Sequence, residues 1–179
     1  MNKNVRMLVE AGVMIALAYV LGMIKIFHMP QGGSITAGQV IPIILFALRW
    51  GCIPGIMCGA VYGIVDALLG GQVIGLLPVI IDYPVAFGGL GIAGLFKNYF
   101  YRDNSEFQVV LAAIIAVMWR IFAHTISGAI FYAEYAPEGQ NAWLYSLQYN
   151  GTFLAVEAIV AAIIIFALYK NRKLFSNRV

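Results

Sequence analysis

Residues 109–132 read V-V-L-A-A-I-I-A-V-M-W-R-I-F-A-H-T-I-S-G-A-I-F-Y, a run long and apolar enough to cross a lipid bilayer as one helix. About 20 predominantly apolar residues span the hydrocarbon layer in this conformation. Arg120 and His124 interrupt the run, although a charged side chain at the bilayer centre costs at least about 2.5–3.5 kcal/mol. We therefore expect a transmembrane helix that turns its polar side chains towards the interior of a bundle.

The composition extends this interpretation to the whole chain of 179 residues. Hydrophobic residues make up 62% and charged residues 11%, whereas soluble domains have about 45–50% and about 25%. We therefore predict an all-α membrane protein in which residues 1–179 form a single transmembrane substrate-binding domain. The net charge of +3 is explained by the distribution of charges about the membrane and does not indicate a nucleic-acid partner.

Known catalytic patterns are absent from the sequence. It contains no G-x-x-x-x-G-K-[ST] phosphate loop, no H-E-x-x-H motif and no pairing of a nucleophile with a base. We predict that the protein is not an enzyme, hydrolyses no ATP itself, and has neither a cofactor nor a metal site.

Six apolar segments are available for six transmembrane helices. They run roughly over residues 5–27, 37–49, 53–69, 73–96, 107–133 and 141–169. The second segment is short, and we expect the G-G-S-I-T sequence before it to enter the protein as an irregular loop.

Lys and Arg are distributed unequally between the two sides of this arrangement. The side that holds both termini carries nine of the 11, namely Lys3, Arg6, Arg49, Lys97, Arg102, Lys170, Arg172, Lys173 and Arg178. Because cytoplasmic loops carry the excess of Lys and Arg, we predict that both termini are cytoplasmic.

Small residues at i, i+4 spacing mark faces where two helices can approach closely. Gly55, Gly59 and Gly63 form such a stripe in the third segment, and we interpret it as internal packing. Gly12 and Ala16 form another on the first helix near its cytoplasmic end. We predict that this second pair is a docking site for a partner helix.

Polar residues of the fifth segment lie on one face. His124, Gly128 and Tyr132 follow Arg120 at i+4 spacing, so the four form a slowly drifting stripe. We interpret Arg120 as one half of a structural ion pair, with Asp82 or Glu157 as its partner. Gly128 leaves a gap between two polar side chains, over which we expect a ligand to lie.

Three other segments bring polar and aromatic residues to the same outward-facing cavity. The predicted members are Tyr62, Asp82, Tyr83, Tyr145 and Asn150. A carboxylate, an imidazole, an amide and several tyrosines suit a small, flat, partly cationic heterocycle, because aromatic faces attract a cation and stack on a ring. The sequence therefore predicts a binding site for such a molecule.

Four motifs resemble a known family over nearly the whole length of the chain. They are I-P-I-I-L-F-A-L-R-W-G (41–51), D-Y-P-V-A-F-G-G-L-G-I-A-G-L-F (82–96), H-T-I-S-G-A-I-F-Y-A-E-Y-A (124–136) and Y-S-L-Q-Y-N-G (145–151). The chain resembles the thiamin-specific S-component of the energy-coupling factor (ECF) vitamin transporters.

The resemblance implies a six-helix protein of the prokaryotic cytoplasmic membrane that binds thiamin from outside with high affinity. It also implies partners, a membrane-embedded T-component and two ATPase subunits, which dock on helix one where Gly12 and Ala16 stand. In the site, Asp82 matches an acidic residue that faces the substrate and Tyr132 an aromatic that stacks on the pyrimidine. The remaining matches to family binding residues are Tyr62, Tyr83, His124, Tyr145 and Asn150.

The chain departs from the family pattern at the end of the site that holds the thiazolium ring and its hydroxyethyl group. The loop into the second segment reads G-G-S-I-T-A-G where family members offer a Trp and a Glu, and Gln72 stands where an aromatic can occur. Two alternatives therefore stay open. One is an S-component for a thiamin precursor or a vitamin B6-like vitamer, and the other is a stand-alone secondary transporter of a small cationic heterocycle.

Overall fold

A computed structural model describes residues 2–70 and 75–172, in which helices and one β-hairpin follow each other along the chain. The elements are α1 (Lys3–Met23), β1 (Lys25–His28), β2 (Ser34–Thr36), α2 (Val40–Trp50), α3 (Cys52–Leu69), α4 (Leu76–Phe100), α5 (Glu106–Phe131) and α6 (Ala142–Lys170). Gln72, Lys173 and Arg178 lie outside the described residues.

Five of these helices, α1, α3, α4, α5 and α6, are long and apolar enough to cross a membrane. The prediction of a helical membrane protein is confirmed. The sixth predicted segment is α2, whose 11 residues are all buried. A helix of that length is about half as long as a bilayer-spanning helix. Because the other helices bury it, its ends and the backbone next to them are not exposed to lipid.

A short β-hairpin lies between α1 and α2 within the predicted all-α fold. The first helix ends at Met23 rather than at residue 27, and β1 pairs antiparallel with β2. Lys25-Ile-Phe-His contains a β-branched and an aromatic side chain, which favour a strand. Gln31 (φ 65°) and Gly32 (φ 100°) then supply the left-handed conformations that turn the chain back. The segment predicted as an irregular loop is therefore largely a hairpin.

Helix α3 packs closely on α4 through its glycine stripe. A Cβ atom added at Gly59 would collide with the carbonyl of Phe87, and one at Gly63 would collide with the carbonyl of Tyr83. The missing side chains let the two backbones touch. Gly63 therefore packs directly against the turn of α4 that carries Asp82.

That turn of α4 is irregular. Ile81–Val85 forms a π-helical turn around Pro84, which has no N–H to donate to the helix. In the same turn, the carbonyl of Val85 accepts a hydrogen bond from the Trp119 indole of α5, at 3.1 Å. Single π-turns are frequent at functional sites, since they re-aim the side chains next to them.

An ion pair that joins α1 to α2 was not apparent in the sequence. Arg49 lies in the last turn of α2, buried, and its Nη1 is 2.6 Å from Glu10 Oε1. Arg49, one of the charges that we predict on the cytoplasmic side, thus neutralises a carboxylate on the helix that carries Gly12 and Ala16.

Candidate functional site

A cavity of about 370 Å³ lies between the β-hairpin and helices α3 to α6. That volume is in the range of small-molecule sites, about 300–1,000 Å³. Seven of the eight residues predicted to bind substrate line it, namely Asp82, Tyr83, His124, Gly128, Tyr132, Tyr145 and Asn150. The structure therefore brings together side chains from α4, α5 and α6.

Tyr62 is the exception, because it does not line the cavity. The structure therefore does not support the predicted contact between Tyr62 and the ligand. Its side chain is fully buried, and its hydroxyl donates to Gln39 Oε1 at 3.1 Å. The ring also meets the edge of Phe87 at a centroid distance of 4.7 Å. Because Gln39 and Phe87 line the cavity, Tyr62 supports the wall from behind.

Asp82 organises the α4–α5 wall. Its Oδ1 is 2.9 Å from His124 Nδ1, and its Oδ2 accepts a hydrogen bond from Ser127 Oγ at 2.8 Å. A carboxylate only accepts, so His124 donates from Nδ1 and its ring orientation is set. The π-turn of α4 aims Asp82 at α5, and the i, i+3 spacing of His124 and Ser127 matches its two oxygens.

Gly128 is a contact between α5 and α6. A Cβ atom there would collide with Ser146 Oγ, which itself donates to the carbonyl of Thr125 at 3.0 Å. Our expectation of open space over Gly128 is therefore wrong in part, because a larger residue would separate the helices as well as fill the cavity. Asn150, one turn along α6, donates to the His124 carbonyl at 3.3 Å.

Tyrosines surround the mouth of the cavity. Tyr132 stacks on Tyr135 with centroids 6.1 Å apart, and Tyr145 stacks on Tyr149 at 6.3 Å. A tyrosine phenol is neutral at physiological pH, so Tyr132 presents an uncharged ring face.

The same tyrosines hold the hairpin over the cavity. Tyr145 donates to Gln31 Oε1 at 3.1 Å, and Tyr149 contacts the carbonyl of Pro30. The amide of Gly33 donates to the Tyr149 hydroxyl at 3.0 Å. The hairpin is thus fixed to α6 by polar contacts, which sequence reasoning missed because it predicted no hairpin.

The floor of the cavity is an ionic network. Arg120 Nη1 lies 2.6 Å from Glu157 Oε2, and the two side chains are 4% and 2% exposed. Thr36 Oγ1 donates to the other Glu157 oxygen at 2.9 Å, and the Arg120 guanidinium lies 4.3 Å from the Phe87 ring centroid. Of the two carboxylates considered as partners of Arg120, the structure places Glu157 there.

Several lining residues were not predicted as binding residues. They include Lys25, His28, Gln31, Gln39, Asp66, Tyr135, Ser146 and Tyr149. Asp66 gave a signal as an ionisable residue inside an apolar segment, and Tyr149 lies one turn from Tyr145. Within the described ranges, no three His, Cys, Asp or Glu side chains are grouped in a way that could hold a metal ion.

Comparisons with known proteins show what this chain is similar to. The profile of the thiamine transporter protein family (Thia_YuaJ) matches residues 8–176. A thiamine transporter ThiT of Bacillus subtilis strain 168 is 35% identical, covering 94% of this chain and 92% of the relative. A second ThiT, from Lacticaseibacillus paracasei, is 30% identical over 93% and 88%. A solved structure of ThiT from Listeria monocytogenes superposes with a TM-score of 0.85 at 27% identity, over 96% of this chain and 97% of that one.

Proposed function

We propose that this chain, which belongs to the thiamine transporter protein family, binds thiamin in the cavity and takes it up across the cytoplasmic membrane as the S-component of an ECF transporter. The chain is a multi-pass membrane protein, and its family is one of transporters and not of enzymes, as the sequence predicted. The resemblance to the thiamin-specific S-components is likewise confirmed at the level of the family.

The observation that carries the proposal is the Asp82–His124 pair placed beside stacked tyrosines in a cavity of about 370 Å³. Thiamin joins an aminopyrimidine to a positively charged thiazolium ring. An aromatic amine donates well to a carboxylate, and a flat ring gains from a tyrosine face. These are the groups that the α4–α5 wall presents.

An outward-facing cavity is supported by the order of the elements. The hairpin that covers the cavity follows the end of α1, and the α5–α6 connection lies at the same end of the bundle as the mouth tyrosines. The start of α1 and the end of α6 therefore lie at the opposite end. With termini on the cytoplasmic side by the positive-inside rule, the mouth opens to the exterior.

Binding of thiamin to the detergent-purified protein tests the proposal, with tryptophan fluorescence as the signal, since Trp143 lies at the start of α6. We expect thiamin to bind more tightly than its separate pyrimidine and thiazole halves, and more tightly than pyridoxine. Tighter binding of pyridoxine or of the pyrimidine precursor would replace thiamin as the substrate. Uptake by cells that lack the T-component and ATPases would instead indicate a secondary transporter.

Gly12→Trp should leave thiamin binding unchanged and lower uptake several-fold. Gly12 is exposed, and a Cβ atom there would meet nothing within 4 Å. A bulky ring would prevent close approach of a partner helix at Gly12 and Ala16 without reaching the cavity. Leu17→Trp, on another face of α1, is the matched control. Normal uptake by Gly12→Trp together with the T-component and ATPases would show that docking occurs elsewhere.

Tyr132→Ala should weaken thiamin binding by roughly 1–3 kcal/mol, the range measured when an aromatic side chain stacked on a nucleic-acid base is removed. Tyr132→Trp should bind at least as well as wild type, because it offers a larger ring face. Titration of both variants by isothermal calorimetry checks this, with Tyr99→Ala at the opposite end of the bundle as control. Equal affinity of Tyr132→Ala and wild type would place the pyrimidine away from this ring.

A further inference from the structure

Two carboxylates line the cavity, and a third lies just beneath its floor. Asp82 accepts from His124 and Ser127, and Glu157 is bonded to Arg120 and Thr36. In the described part of the chain, no hydrogen bond or ion pair engages the Asp66 side chain, although it is partly buried in the cavity wall. Asp66 is therefore the lining carboxylate whose charge has no fixed partner there.

The position of Asp66 places it within one ligand length of Asp82. Gly63 packs against the backbone of Tyr83, the residue next to Asp82. Asp66 follows Gly63 by three residues, about 4.5 Å along α3. A ligand whose pyrimidine meets Asp82 can thus extend along α3 so that its second ring faces Asp66.

The charged side chains around the cavity have an excess of one negative charge, which a cationic ligand would neutralise. Asp66, Asp82 and Glu157 supply three negative charges, whereas Arg120 and Lys25 supply two positive ones, of which Arg120 is committed to Glu157. Lys25, on the exposed strand β1, lines the same cavity as Asp66 but forms no ion pair in the described residues. The hairpin region 24–39 carries no Asp or Glu, so the cover of the cavity has no carboxylate of its own to pair with a cationic ligand.

We propose that Asp66 is the anionic partner of the positively charged thiazolium ring, and that Lys25 competes with the ring for this carboxylate. The proposal rests on thiamin being the ligand. It assigns Asp82 to the aminopyrimidine and Asp66 to the cation, so the two ends of the ligand are recognised by carboxylates of different helices.

The test compares thiamin with its thiophene isostere, in which a carbon replaces the charged ring nitrogen and the shape is retained. Asp66→Asn should lower the affinity for thiamin by about tenfold to a hundredfold, as loss of a charge pair at intermediate dielectric does. Binding of the uncharged isostere should be unchanged. Asp66→Glu should retain the preference for thiamin, and Glu134→Gln, in the outer loop, should leave both affinities as in wild type.

Lys25→Met is a second variant, chosen because its exposed side chain leaves the helix packing intact. It should raise the affinity for thiamin relative to the isostere. Equal changes for the two ligands in Asp66→Asn, or an unchanged ratio in Lys25→Met, would overturn the assignment. Failure of the wild-type protein to bind thiamin at all would instead overturn the proposed function.

Discussion

Replacement of Arg120 by Met should destabilise the fold by about 3–5 kcal/mol, the usual cost of removing one partner of a buried ion pair. Glu157 is 2% exposed, and among the described residues only the Thr36 hydroxyl would remain bonded to its negative charge. The guanidinium contact with Phe87 would be lost as well. We therefore expect a large drop in the thermal unfolding midpoint of Arg120→Met in detergent.

The double variant Arg120→Met/Glu157→Gln separates loss of the charge pair from loss of packing. It removes both charges and leaves a neutral side chain that can still accept from Thr36, so it should recover most of the lost stability. Lys170→Met breaks an exposed pair with Glu106 and serves as the matched control, with little or no change expected. If Arg120→Met unfolds at the wild-type temperature, Glu157 is neutral in the fold and the ionic floor is not an ion pair.

The α5 wall of the cavity could be predicted because helical spacing carries the information. His124, Gly128 and Tyr132 recur every four residues, so they share a face wherever the helix lies. The charge of Arg120 then indicates that this face points inward, since lipid would not solvate it. Pro84 likewise indicates an irregular turn near Asp82, because proline cannot complete the helical hydrogen bonds.

The orientation of α3 could not be predicted in the same way. Helix α3 is apolar apart from Tyr62 and Asp66, so it has no polar stripe from which to infer which of its faces lines a cavity. Tyr62 and Asp66 are four residues apart, yet Tyr62 is sealed behind Gln39 and Asp66 reaches the cavity. Tertiary packing alone decides between them.

Contacts between distant parts of the chain could not be predicted from the sequence either. The Glu10–Arg49 pair joins residues on different helices, and neither residue type reveals its partner. The hairpin depends on left-handed backbone at Gln31, a residue with no special preference for it, and on contacts with Tyr145 and Tyr149 of α6. Local propensity gives the strands little support without those long-range contacts.

Asp82→Asn should weaken thiamin binding by about 2–5 kcal/mol, at least about thirtyfold in affinity, as truncation of a buried charge-assisted pair does. The amide keeps the size of the side chain but removes the negative charge. It also replaces one acceptor oxygen by a donor, so His124 Nδ1 or Ser127 Oγ loses the acceptor that it has in the wild-type protein. Both the charge and the orientation of the imidazole are disturbed.

Ser127→Ala distinguishes these two effects, because it removes one hydrogen bond to Asp82 and leaves the charge in place. Its loss should be about 0.5–1.5 kcal/mol, typical of a single hydrogen bond. Titrations of both variants with thiamin and with its aminopyrimidine half should show the larger loss for Asp82→Asn on both ligands, because Asp82 is assigned to the pyrimidine. Wild-type affinity in a correctly folded Asp82→Asn protein would exclude Asp82 from direct recognition. The carboxylate would then serve only to join α4 to α5.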